Sequence, residues 1–205
     1  MADNFTEPHK MIIGFIDQLV KDGLEADSKK AVCQKGCNLC CNFLVPVTIM
    51  DVKFILQALE NIDNEKKELI LENLYYNEDI VEYTNEDLIK KLLEEKTSEV
   101  SIKCPFSSDG GCMVYENRPI ACRLHNSSDI SLCENYSADL SFHEVPEIKK
   151  ILDICARQGN PENERSSIFL HNAIAYDEFD KKFIFNAMNQ FNLSDEVEKD
   201  FFNIC

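Results

Sequence analysis

Cys33-Gln34-Lys35-Gly36-Cys37-Asn38-Leu39-Cys40-Cys41 places four thiols in nine residues. The spacings are C-x3-C and C-x2-C, closed by a vicinal pair. On a helical backbone turning about 100° per residue, the four sulfurs fall within an arc of roughly 80 to 100° and face one point. Gly36 works against a regular helix there, and a tight loop would give the same convergence. Thiolates gathered in this way repel one another when ionised and crowd when neutral. A cation that takes zinc-type or iron-sulfur ligation resolves both conflicts. The rest of the chain is then expected to supply partner ligands or support.

Working outward, the residues before the cluster repeat apolar positions at Met11, Ile12, Phe15, Ile16, Leu19 and Val20. This rhythm predicts an amphipathic helix over 6–21, opened by Thr6 and Pro8. After the cluster, Phe43 to Val47 is apolar and interrupted by Pro46. Thr48-Ile49-Met50-Asp51 has the form of a capping box and opens a helix carrying Phe54, Ile55, Leu56, Ala58 and Leu59 inward. Residues 65–76 read as another helix. A second capping-box pattern at Thr84 to Asp87 predicts a helix over 85–97 with a charged outer face.

A second thiol group follows at Cys104 and Cys112. Asp109-Gly110-Gly111 is a turn signal between them and predicts a small hairpin that brings the two cysteines together. Pro119 suits the start of a helix with Cys122 and His125 on one face, and Cys133 lies eleven residues beyond Cys122. Residues 146–158, 164–176, 178–190 and 194–204 read as C-terminal helices. Phe169, Leu170, Ile174, Phe179, Phe183, Ile184, Phe185 and Met188 are expected to feed the core, with Phe191, Phe201 and Phe202. The expected fold is mainly α. It is one helical domain over 1–205 with a small β-hairpin and an irregular cysteine-rich core. A metal-binding module at 33–133 is wrapped by the N-terminal helix 6–21 and the C-terminal helices 146–204.

Composition narrows the function. The 205 residues suffice for a real hydrophobic core, so metal is not needed merely because the chain is small. Ten cysteines would mean disulfides in a secreted protein. The N-terminal residues, however, lack a basic stretch followed by an apolar run, and no 18-residue apolar segment exists, so neither a signal peptide nor a membrane span is expected. The thiols are therefore expected in a reducing cytoplasm, where paired Cys motifs point to metal or redox chemistry. Thirty-seven acidic residues against 21 basic ones give a net charge of −16, which repels phosphate backbones and excludes nucleic acid as a partner. The metal ion is the partner the sequence itself implies.

Taken together, Cys33-x3-Cys37-x2-Cys40-Cys41, Cys104-Pro105-Phe106, Gly111-Cys112, Tyr115, Arg118-Pro119, Cys122-Arg123 and Cys133 closely resemble the YkgJ-type cysteine-cluster family, described as zinc- or iron-chelating proteins. The resemblance spans about residues 33–133. It implies that Cys33, Cys37, Cys40, Cys41, Cys104, Cys112, Cys122 and Cys133 form the chelating set. Eight thiols suit two zinc ions or a [4Fe-4S] cluster with thiols to spare, and the sequence leaves Zn2+ and Fe open. Vicinal Cys40 and Cys41 do not share one ion in relaxed geometry, so one of them would serve a second metal or a redox role. Arg118 and Arg123 are expected beside the thiolates, offsetting charge and donating to sulfur. Tyr115 would pack against the site. His125 is a further candidate ligand, whereas His9, His143, His171 and Cys155 are expected at the surface or in the core.

Two function classes follow. One is a metal-binding protein that chelates zinc or an iron-sulfur cluster. The other is an iron-sulfur enzyme, because similar cysteine clusters occur in flagellin lysine methylases and because C-x3-C-x2-C is also the radical-SAM spacing. The strand-helix repeats of a radical-SAM barrel are missing, and five further thiols would go unused. No G-x-G-x-x-G, phosphate loop or nucleophile elbow occurs among the six glycines. A thiol-disulfide switch would need a βαβ context that the pattern does not provide.

Overall fold

The computed structural model describes residues 6–26, 30–42, 45–76, 103–134, 139–140, 142, 145–157, 168–169, 174–177 and 179–185. The described fold is predominantly α. Its helices are α1 (Thr6–Ala26), α2 (Ile49–Leu59), α3 (Asn64–Tyr76), α4 (Ile120–Leu124), α5 (Ile130–Glu134) and α6 (Pro146–Arg157). Three two-stranded antiparallel ladders join them: β1 (Pro46–Val47) with β4 (Ile168–Phe169), β2 (Ser107–Ser108) with β3 (Gly111–Cys112), and β5 (Ile174–Asp177) with β6 (Lys182–Phe185). The expected helix over 85–97 and the one over 194–204 lie outside the described residues.

Helix α2 organises the interior because two of its faces are apolar. Its start is fixed by a complete capping box, in which the Thr48 side chain accepts from the Asp51 N–H while the Asp51 carboxylate accepts from the Thr48 N–H. Val52, Ile55 and Leu59 pack with Ile70, Phe106, Val114 and Cys104, a core lying directly under the second cysteine group. Phe54 points the other way, into a core made by Ile13, Ile16 and Val20 of α1, Ile120 and Leu124 of α4, and Ile148 and Cys155 of α6. Each such side chain taken fully out of water contributes about 1.5–3 kcal/mol, so α2 ties both halves to one another.

Three expectations need correction. Helix α1 runs on to Ala26, and its buried face is His9, Ile13, Ile16 and Val20, whereas Met11 and Phe15 are turned outward, Met11 at 76% exposure. His9 on the inner face shifts the buried stripe away from the two residues that apolarity alone selects. Second, the expected helices over 164–176 and 178–190 are not formed at 174–177 and 182–185, which make a hairpin with Ala175 opposite Ile184 and Tyr176 opposite Phe183. Asp177 Oδ1 accepts from the N–H groups of Phe179 and Asp180, and Lys181 takes a positive φ of 52°, which turns the chain. Third, Phe179 sits on that turn at 94% exposure and is not core, while Ile174 is buried as expected.

Candidate metal centre

The first cysteine stretch is a loop rather than a helix. Gly36 holds a φ of +100°, which a side chain would oppose, and the turn closes with Cys37 N–H donating to the Gln34 carbonyl. A 3-10 turn over Leu39–Asn42 follows. Within this turn the vicinal Cys40 and Cys41 side chains stay close enough to hydrogen-bond.

The β2–β3 hairpin is stitched to this loop. Cys104 N–H donates to the Cys41 carbonyl at 2.7 Å, and Asn38 Nδ2 donates to the Ser108 carbonyl at 3.0 Å. Glycine meets glycine at the seam: a Cβ on Gly111, itself at φ +99°, would lie 2.6 Å from the Cα of Gly36. Asn73, buried on α3, donates to the carbonyls of both Pro105 and Ser107 and so sets the Cys104 turn from behind. The hairpin thus brings Cys104 and Cys112 toward the first four thiols, as its turn signal predicts.

The third segment begins at Pro119, the N-cap of α4. Ile120 N–H donates to Asp51 Oδ1, which anchors the short helix carrying Cys122 to α2. Arg123 is 6% exposed and donates to the carbonyls of Arg118 and Glu116 and to the Asp17 carboxylate, while its charge acts on the Cys112 thiol. Arg118 instead lies over the Tyr115 ring, 4.3 Å from its centroid, at the wall of a cavity. The Ser127 N–H donates to Cys33 Sγ at 3.3 Å, and α5 sets Cys133 against the 3-10 turn.

Seven of the eight expected thiols line this one cavity of about 60 Å³, together with Arg118, Tyr115 and His125, while Cys133 and Arg123 are not part of its lining. All nine described cysteines are free thiols. The Cys40 and Cys41 side chains are in hydrogen-bond contact, as are those of Cys41 and Cys104. Among the described residues no three ligating side chains are already drawn into a closed set, so the sulfurs would have to move inward onto an ion.

The electrostatics follow from crowding. Burial, reinforced by the charges of Cys40, Cys112 and Cys41, pushes the Cys122 thiol well up. The Cys40 thiol is raised first by its hydrogen bond to Cys41 and then by burial. Cys41 is pushed up to about 12, chiefly through its bond with Cys104. Burial also raises Cys112 against the opposing pull of the Val114 backbone, Arg118 and Arg123. Such sulfurs keep their protons unless a cation replaces them. A soft cation fits the donor set, which is sulfur-rich with the guanidinium groups of Arg118 and Arg123 to offset the excess charge. Asp51, Asn38, Asn73 and Ser127 were not singled out by spacing as site-builders. Only Asp51 carried a signal, through its capping box, and that signal speaks of a helix start rather than of Cys122.

Cys155 is fully buried in the α1–α4–α6 core, as expected of a packing thiol, with burial pushing it up to about 12. Among the described residues no helix is long and apolar enough to cross a membrane. No curated protein and no solved structure matches the chain. A family model does match, over residues 32–156, and its description reads "Putative zinc- or iron-chelating domain". That span runs from the residue before Cys33 to the one after Cys155 and takes in every thiol of the cavity, so the chain belongs to this zinc- or iron-chelating cysteine-cluster family.

Proposed function

We propose that the chain binds zinc or an iron centre through Cys33, Cys37, Cys40, Cys41, Cys104, Cys112, Cys122 and Cys133, within a 33–133 module braced by α1 and α6 in a reducing cytoplasm. One observation carries this: free thiols from three separate chain segments meet on a single small cavity. Residues that far apart in sequence do not converge by local propensity. About 60 Å³ suits an ion or a compact inorganic centre and is far below the roughly 300 Å³ at which small-molecule pockets begin, which favours chelation over turnover of an organic substrate. Bound metal would supply cross-linking energy, and a redox-active iron centre would add electron transfer. Arg118 and Arg123 offset thiolate charge, and Arg123 also positions Arg118 by holding its carbonyl.

The test is metal and acid-labile sulfide content, with a visible spectrum, on full-length protein purified untagged without oxygen. Brown protein with iron and sulfide identifies an iron-sulfur centre; colourless protein with zinc identifies a zinc site. Folded protein that takes up neither overturns the proposal.

A further inference from the structure

Resting on that chelating assignment, we infer that Cys41 and Cys104 are an internal redox pair: a hydroperoxide joins them as a disulfide and so strips the metal site of two ligands. The pairing follows from the backbone. Cys104 N–H donates to the Cys41 carbonyl at 2.7 Å. With standard bond lengths on either side of that hydrogen bond, the two Cα atoms lie no more than about 6.6 Å apart whatever the angles. A disulfide spans Cα separations of about 4.4–6.8 Å. Both side chains line the same cavity, so they project to one side, and their thiols are already in contact. The vicinal Cys40 and Cys41 fall below that range, because Cα atoms joined by a trans peptide are about 3.8 Å apart.

Both halves of the pair are held in place. On the hairpin side, Ser107 N–H donates to the Cys104 carbonyl at 2.9 Å, and Asn73 holds the Pro105 and Ser107 carbonyls at 3.0 Å. On the loop side, Cys41 N–H donates to the Asn38 carbonyl at 3.0 Å, while the Asn38 amide donates to the Ser108 carbonyl. Closing the bond therefore needs side-chain rotation and no backbone movement. Exposure assigns the order of events, since Cys41 is half-buried and Cys104 is only 5% exposed. The Cys41 thiolate meets the oxidant first: its Sγ attacks one peroxide oxygen, the O–O bond breaks, and a sulfenic acid forms as hydroxide or alkoxide leaves. Cys104 Sγ then attacks the sulfenyl sulfur, the S–O bond breaks, and the hydroxide released takes up a proton to become water. Two electrons pass from the two sulfurs to the peroxide, and none passes to or from a metal ion. Disulfide sulfurs carry no charge, so a soft cation loses two thiolates at once. An internal pair of this kind meets a small oxidant directly and needs no βαβ frame for docking a partner protein.

The experiment loads metal-stripped full-length protein with zinc under argon and adds equimolar hydrogen peroxide. Zinc release is followed with a chromogenic chelator, and disulfides are mapped by alkylation, proteolysis and mass spectrometry. A Cys41–Cys104 link within one chain is expected, rising in step with released zinc, and dithiothreitol followed by fresh zinc should restore the loaded protein. A link between another pair, links scattered over many pairs, or zinc loss with sulfinic acids in place of a disulfide overturns the inference while chelation stands. A Cys41–Cys104 link with zinc retained overturns the release. In Cys104→Ser, dimedone should tag Cys41, and a tag on another cysteine overturns the order of attack; if that variant fails to fold, the wild-type map decides. Wild-type protein that takes up neither zinc nor iron overturns the chelating assignment itself, and the disulfide map of the metal-free chain then decides the pair alone.

Discussion

Gly111 carries the tightest constraint on the site, since its missing Cβ lets the hairpin rest on the Gly36 backbone. Gly111→Ala forces alanine into a positive φ and against a main-chain atom that cannot rotate away, at a cost of about 1–3 kcal/mol. It should lower Tm and weaken metal retention together, measured by thermal unfolding and by competition with a chelator. Cys122→Ser should release metal, whereas Cys155→Ala should leave metal content unchanged and lower stability by the cost of a small cavity, about 1 kcal/mol. An equal loss of metal in both would place Cys155 in the site. The convergence of seven cysteines on one cavity was legible in the sequence because thiols at such close spacings, with a turn signal between Cys104 and Cys112, have few ways to be arranged apart. Asn73 and Ser127 were not legible. Their partners are backbone atoms or thiols some 30 to 94 residues away, and a hydrogen bond to a carbonyl leaves no pattern in the sequence on either side.

Among the elements, the start of α2 was readable to the residue, because a capping box is a local device and Thr48 and Asp51 lie three residues apart. The β5–β6 hairpin was not. Phe179 and Phe183 stand four apart, which imitates a helical stripe, and the deciding feature is the turn made by Asp177 and Lys181. Asp51 also joins elements: it caps α2, receives the Ile120 N–H at the head of α4, and lies 3.6 Å from His9 of α1. Burial by itself would raise this carboxyl. The His9 imidazole and the backbone N–H groups of Thr48 and Ile120 outweigh burial and hold it below the usual carboxylate range. A depressed carboxyl contributes stability above its unfolded pKa of about 3.9 and loses it as pH falls through the folded value. The protein should therefore lose stability below about pH 4, and Asp51→Asn should flatten that dependence while lowering the plateau, as followed by denaturant unfolding across pH. An unaltered acid limb in Asp51→Asn would remove Asp51 from this role.

For the whole molecule, the raised thiols give the opposite pH limb. A cysteine whose pKa rises on folding adds no penalty below its unfolded value near 8.5, but above it the unfolded chain ionises first and stability falls. Metal-free protein should weaken from about pH 8.5 upward, by at most about 1.4 kcal/mol per pH unit for each raised thiol. Metal-loaded protein, whose sulfurs have already lost their protons, should not. Parallel alkaline limbs for the two forms would show that metal does not engage these thiols. The Cys41 carbonyl and the Cys104 N–H, joined at the seam of the site, are separated by 63 positions in the chain. A ribosome adding about 5–20 residues per second emits Cys33 to Cys41 roughly 3 to 14 seconds before it emits Cys104. During that interval half of the thiols are present without their partners and open to oxidation or alkylation, so a nascent chain halted before residue 104 is the form of this protein most exposed to thiol damage.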